Sequence, residues 1–253
     1  MPETAYDQSI AALSDLGPMR VWSLLVTVFG DLAQDTALDG PTLSTIMAGI
    51  GIKPEATRVA LHRLRSDGWI TSQKTGRTSL HQLSAKGYEK SAAASPRIYG
   101  RPNQMGRGAQ VILMAETGSA LDPVDYAQIA PRLFIAGADA PLPDSGMQMQ
   151  PMDLPTWLGA QFETPAMREA YKALHATLLE IDEAFPDPAI FTPLQKAVLR
   201  VMIVHGWRRQ TLKHPDLPRA AHSPDWRGHD CRALVMTLLD RFERPTLDAI
   251  KAA

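Results

Sequence analysis

Between residues 19 and 83 the hydrophobic pattern changes period once, and that change constrains the fold more than any other feature of the chain. Trp22, Leu25, Val26 and Phe29 fall at i, i+3, i+4, i+7, so a helix over about 19–32 has one apolar face, opened by Gly17-Pro18. Leu43, Ile46, Met47 and Ile50 repeat the spacing after the acidic turn 31–39 and Gly40-Pro41, with Gly51 as the stop. Thr57, Ala60, Leu61 and Leu64 repeat it a third time behind Lys53-Pro54. Proline suits these first turns because its missing N–H would have no helical partner there. Past Asp67-Gly68 the period becomes two. Residues 69–74 and 78–83 carry the β-branched and apolar side chains of strands, and Gly76 in the Thr75-Gly76-Arg77 loop permits a tight reversal. Ser84 caps a fourth helix running to about residue 94. Three helices, a two-stranded wing and a trailing helix predict an N-terminal winged helix-turn-helix.

The charge coincides with that module. The whole chain has 26 Lys and Arg against 27 Asp and Glu, a net charge of -1, which excludes a uniformly basic nucleic-acid binder. Residues 1–52 hold one basic residue and six acidic ones, whereas residues 53–97 hold nine basic and three acidic. With Thr57, Ala60, Leu61 and Leu64 in the core, the outer face of the third helix carries Glu55, Arg58, Val59, His62, Arg63 and Ser66. A helix-turn-helix lays that face in the major groove. Arg58 is the first choice for base contact, since its planar fork matches guanine O6 and N7, and His62 lies one turn further along. Arg63 and Arg65 are placed for phosphates, and so are Lys74, Arg77 and Ser79 on the wing. Trp69, following the Asp-Gly turn, is expected in the core, with stacking on a nucleobase as the lesser reading. A charged face of this kind is also compatible with plain solvation, or with a winged-helix module that meets an acidic protein instead of DNA; its coincidence with a complete module favours double-stranded DNA.

The remainder is mostly helical. Residues 96–155 turn to Gly, Pro and Met, with apolar runs at 111–115 and 133–136 that predict strands of a small α/β unit. Thr164-Pro165 opens a helix with Met167, Tyr171, Leu174, Leu178 and Ile181 on one stripe. Thr192-Pro193 opens another with Leu194, Ala197, Val198, Val201 and Met202, and Val235, Leu238, Leu239 and Phe242 mark a last one. The expected class is mainly α with small α+β parts, divided into segments 1–95, 96–155 and 156–253.

Several short runs together resemble one family. These are Val28-Phe29-Gly30-Asp31, the stretch from Thr57 to Leu64, Asp67-Gly68-Trp69-Ile70, Gly76-Arg77 and Leu83-Ser84-Ala85-Lys86-Gly87. Arg97-Ile98-Tyr99, Trp207-Arg208-Arg209, His214-Pro215-Asp216-Leu217-Pro218 and Trp226-Arg227-Gly228 continue the likeness. The pattern, over residues 19–99 and 190–240, resembles the PaaX family of bacterial repressors of phenylacetic acid degradation. This resemblance implies a homodimeric repressor with a winged helix, a small ferredoxin-like middle domain and a helical C-terminal domain. It also implies release from a partly palindromic operator by an acyl-CoA effector, phenylacetyl-CoA.

Candidate ligand sites outside the module are sparse. Gly106-Arg107-Gly108 with Arg101 offers an amide nest for a CoA phosphate, although an interdomain linker is the plainer reading. Trp207 with Arg208 offers a clamp for an acyl-CoA, although a tryptophan packing helices together is the plainer role there. His205, His214, His222, His229 and Cys231 invite a metal, yet only His229-x-Cys231 is closely spaced, so polar and capping roles are expected and no metal. No Gly-x-Ser-x-Gly, phosphate-binding P-loop or His-Glu-x-x-His motif is present, which points away from an enzyme, and no cofactor is expected. One cysteine excludes an intramolecular disulfide, and no apolar run approaches the roughly 20 residues of a membrane span. A cytoplasmic protein without a membrane partner is the expectation.

Overall fold

The computed structural model describes residues 4–101, 108–118, 120–150 and 153–252. In chain order it contains α1 (Ala5–Asp15), α2 (Val21–Leu32), β1 (Leu38–Asp39), α3 (Gly40–Gly49), α4 (Pro54–Ser66), β2 (Ile70–Thr75), β3 (Thr78–Leu83) and α5 (Ala85–Tyr99). Four strands follow, β4 (Ala109–Met114), β5 (Tyr126–Ala130), β6 (Leu133–Gly137) and β7 (Gly146–Met149). The chain continues with α6 (Gly159–Phe162), α7 (Pro165–Ala184), α8 (Pro193–Thr211), α9 (Gly228–Arg241) and α10 (Leu247–Ala252). Two compact units emerge, each built from separate stretches of chain. One comprises Met1–Pro96, Ala176–Gly206 and Leu234–Ala253; the other comprises Arg97–His175 and Trp207–Ala233.

In the first unit the faces predicted from periodicity are largely buried, with Trp22 and Leu61 half-buried at their edges. Leu25, Val26 and Phe29 of α2, Leu43, Ile46 and Met47 of α3, and Ala60 and Leu64 of α4 are all in the core. Helix α1, which the sequence reading omits, starts with Thr4 and Asp7 capping each other and buries Ile10 and Leu13. Strand β1 pairs with β3, placing Leu38 opposite His81, so the hairpin is the outer part of a three-stranded sheet ordered β1-β3-β2. Residues 197–206 of α8 are buried on every face, where the sequence shows one stripe; a helix surrounded by its own unit needs no polar side. Asp31, placed by sequence in an acidic turn, is the last-turn residue of α2 and is fully buried. The Arg200 guanidinium donates to it twice, Nε to Oδ2 at 2.8 Å and Nη2 to Oδ1 at 3.1 Å, while Nη1 donates to the carbonyls of Leu239 and Phe242, both at 3.0 Å. Thr27 and His205 share a buried hydrogen bond of 3.1 Å.

The second unit holds an antiparallel four-stranded sheet ordered β5-β6-β4-β7. Both predicted strands are there, extended to six and five residues, and two more flank them. Ile112, Met114, Tyr126, Phe134 and Ala136 cluster on one side, and Ala127 and Ile135 pack with Leu158, Leu217 and Ala221 on the other. The connections described between the strands are turns rather than helices, because Gly118, Pro123, Pro141 and Pro143 interrupt them. Helix α5 does not stop near residue 94; it continues through Pro96 to Tyr99. Proline forfeits one hydrogen bond in the last turn, and Ser95 Oγ–H bonds back to the Ser91 carbonyl at 2.8 Å beside it.

Candidate nucleic-acid interface

Helix α4 starts at Pro54 behind Lys53, whose side chain makes no cap hydrogen bond. It ends where Gly68 adopts φ +72° and the Trp69 N–H reaches back to the Leu64 carbonyl at 2.8 Å. Thr57, Ala60 and Leu64 face inward, leaving Arg58, Val59, His62, Arg63, Arg65 and Ser66 exposed. The four nominated helix residues Arg58, His62, Arg63 and Arg65, two for bases and two for phosphates, therefore lie on the outer side of a single helix.

They differ in what holds them. Arg58 Nη2 donates to Glu55 Oε1 at 2.9 Å, with both side chains 73% exposed. An exposed pair of this kind contributes about 0.3–0.5 kcal/mol, so Arg58 is steadied yet readily released to another acceptor. Arg63 lies 3.6 Å from Asp67 and places its guanidinium 5.9 Å from the centre of the Trp22 ring on α2. Arg65 lies toward β3, where burial, and then the Arg65 charge, lower the pKa of His81. Arg63 and Arg65 thus occupy opposite flanks of α4, and Arg58 and His62 lie between them.

The hairpin is fixed to the end of this helix. In register, Lys74 faces Ser79 and Thr75 faces Thr78, so the loop is the two residues Gly76-Arg77, with Gly76 at φ +61°. Lys74 and Arg77 are exposed and Ser79 is half-buried. Ser72 Oγ and His81 Nδ1 bridge the strands at 2.8 Å, a pairing that sequence reading missed although the two residues are exactly opposed once the register is known. At the root, Ser84 Oγ–H donates to the Gly68 carbonyl at 2.5 Å and accepts from the Gly87 N–H at 3.0 Å. Lys86 Nζ donates to the Asp67 carbonyl at 2.8 Å. A Cβ on Gly87 would stand 2.1 Å from the Trp69 carbonyl oxygen, so only glycine lets α5 approach the hairpin this closely. Trp69 is half-buried and packs edge-on against Trp22, with ring centres 6.1 Å apart.

The other nominated residues have different surroundings. Trp207 is 1% exposed, donates its indole N–H to the Ile98 carbonyl at 2.9 Å and stacks beneath Arg232, whose guanidinium lies 5.1 Å from the ring centre. That is a helix-packing position. Arg208 is half-buried, with its pKa lowered by burial, and Arg101 is exposed. Arg107 and Gly106 lie outside the described residues. The histidines serve separate contacts. His214 Nδ1–H donates to the Pro215 carbonyl at 2.9 Å, which leaves Nε2 to accept from Tyr171 Oη–H at 2.6 Å, and burial pushes its pKa down to about 4. His222 pairs with Glu163 at 2.8 Å and stacks on Trp226. Cys231 is buried, its thiol bonds the Tyr171 carbonyl, and burial pushes its pKa up. Among the described residues no three His, Cys, Asp or Glu side chains gather as metal ligands, and no helix is long and apolar enough to cross a membrane.

A basic helix braced to a cationic hairpin presents one surface suited to a polyanion. The chain belongs to the PaaX-like protein family: the family model matches residues 20–87, and the model of the PaaX-like protein C-terminal domain matches residues 162–252. It is 24% identical over 261 residues to the transcriptional repressor PaaX of Escherichia coli (strain K12), covering 88% of this chain and 81% of that protein. Among solved structures it resembles the uncharacterized protein Rv0674 from Mycobacterium tuberculosis, with a TM-score of 0.57 at 18% identity, over 90% of this chain and 97% of the other; this likeness concerns the fold alone.

Proposed function

We propose that the chain is a DNA-binding transcriptional repressor, not an enzyme, whose residues 19–99 form a winged helix-turn-helix with α4 in the major groove. Arg58 and His62 contact base edges, Arg63 and Arg65 grip the phosphates on either flank, and Lys74, Arg77 and Ser79 follow the backbone from the wing. The observation that carries this reading is the bracing of the hairpin root onto the end of α4 through Ser84, Lys86 and Gly87, which gives helix and wing one fixed spacing. Membership of the PaaX-like family and the likeness to a named repressor support it.

In the fuller form of this reading the repressor is a cytoplasmic homodimer on a partly palindromic operator, controlling phenylacetate catabolism. The segment 96–155 is its ferredoxin-like part, with the strand order of that fold and turns replacing its helices. Segment 156–253 is its helical part. Phenylacetyl-CoA releases the protein by binding the DNA-incompetent state more tightly, since a ligand with equal affinity for two states shifts neither.

The test is a salt titration on random duplex, followed by selection of preferred sequences from a random pool. Binding whose logarithm falls linearly with log salt, together with a selected two-fold sequence, is the expected result. Absence of binding at low salt would overturn the repressor reading and leave a protein-docking module. Thermal shift against acyl-CoA esters tests the effector, because a ligand selective for the folded state raises the melting temperature by mass action.

A further inference from the structure

Val59 has the greatest exposure, 71%, of the large hydrophobic side chains among the described residues, and it sits in the middle of the charged face of α4. An isolated exposed valine needs no explanation. This one is not isolated: it forms one wall of a groove of about 580 Å³ between α4 and the start of α2, floored by Trp22, Ala56 and Ala60 and edged by Arg20 and Arg63. Glu55, the acidic residue at the groove, is engaged by Arg58. The groove is apolar within, and its margins carry Arg20 and Arg63 against Glu55, a net positive charge even when Arg58 is released.

We propose that Val59 is a specificity-determining residue that reads the 5-methyl group of a thymine, the methyl entering the mouth of this groove while Arg20 and Arg63 meet flanking phosphates. The inference rests on the DNA-binding reading of α4. Thymine is the only standard base that presents a methyl group in the major groove, and that methyl is the natural partner there for an aliphatic side chain with no hydrogen-bonding atom. The cationic margin matches a polyanion, which favours DNA over a neutral apolar partner. Valine in a helix holds one χ1 rotamer, so its contact is preformed. Arg58 must first leave Glu55. The face would then read sequence in two ways, by a hydrogen-bonding fork at Arg58 and by a methyl contact one residue further on.

The experiment uses the full chain and a duplex selected by the wild-type protein from a random pool. Each thymine of that duplex is replaced in turn by deoxyuridine, which removes only the methyl group, and binding is measured for the wild type and for Val59→Ala. The wild type is expected to lose about three- to tenfold in affinity at one thymine of each half-site, the scale of one buried methyl group. Val59→Ala is expected to bind the thymine duplex more weakly by a similar factor and to be indifferent to the exchange. Because Val59 is exposed, the variant keeps the core intact. Wild-type indifference at every thymine, or full methyl discrimination by Val59→Ala, overturns the proposal while leaving the repressor reading in place. A pool that yields no preferred sequence overturns both.

Discussion

Asp31→Asn changes one side chain by little more than its charge, at a position buried on every side. In the native protein the carboxylate receives two Arg200 donors, at 2.8 and 3.1 Å, and Arg244 lies 3.8 Å from the same group. The Arg200 side chain is only 9% exposed. After the exchange its guanidinium keeps the Leu239 and Phe242 carbonyls but loses its counterion. Removing one partner of a buried pair costs about 3–5 kcal/mol, because the remaining charge stays out of water without compensation. For a chain of this size each kcal/mol lowers the melting temperature by about 2–4 °C, so a fall of about 6–20 °C is expected. Arg244 is 44% exposed and regains hydration, so it adds little to this loss. The assay is urea unfolding at roughly 0.05 and 0.5 M salt, since a buried pair is hardly screened whereas a surface pair is. Asp31→Leu combined with Arg200→Met should recover part of the loss, the remainder reflecting the two carbonyls left without donors. A loss below about 1 kcal/mol, or one that vanishes at high salt, would refute the reasoning by showing that the pair behaves as a surface pair.

Three further outcomes follow from the geometry. Arg58→Ala should abolish the preference for the selected sequence, whereas Lys74→Ala and Arg77→Ala should weaken binding to every duplex and each reduce the salt slope by roughly one, read from competition and salt titrations. Unchanged selectivity in Arg58→Ala would show that the wrong face of α4 has been assigned. Gly87→Ala should melt well below the wild type, because its methyl would collide with the Trp69 carbonyl oxygen, a backbone atom that cannot swing aside; calorimetry giving an unchanged midpoint would contradict the close approach. His214, held down to about 4 by burial against an ordinary 6.5, is neutral in the folded protein and takes up a proton more readily once unfolded. Stability should therefore rise with pH from about 4 to 6.5, by up to about 1.4 kcal/mol per pH unit from this residue, and the slope should shrink in His214→Gln.

Local rules made the N-terminal module legible. Prolines at Pro41 and Pro54, glycines at Gly51, Gly68 and Gly76, and the change of hydrophobic period each act within a few residues, so the elements and the cationic face could be read without a partner. Asp31 and Arg200 could not. They are 169 residues apart, and nothing near Asp31 separates a buried counterion from a residue of an acidic turn. The same limit hid β1, two residues long and paired only through β3, and β5 and β7, whose alternation is diluted by Gly and Gln. Helix α5 passed its expected end because one proline forfeits a single bond, which the surrounding turns offset. Val59 was placed on the outer face by periodicity, but only the groove beside it gives that position a chemical meaning.

The interleaving of the first unit has a consequence for synthesis of the chain. Residues 4–96 emerge from the ribosome first, yet Asp31 finds its counterion at Arg200, Gly49 packs against Val198, and Asp39, which caps α3, is met by Lys251. The nascent N-terminal module must wait, with part of its apolar surface open, until more than a hundred further residues have been made. A fragment cut at residue 95 should therefore be a client for chaperones rather than a freestanding DNA binder, and rare codons between residues 97 and 175 would lengthen its exposure.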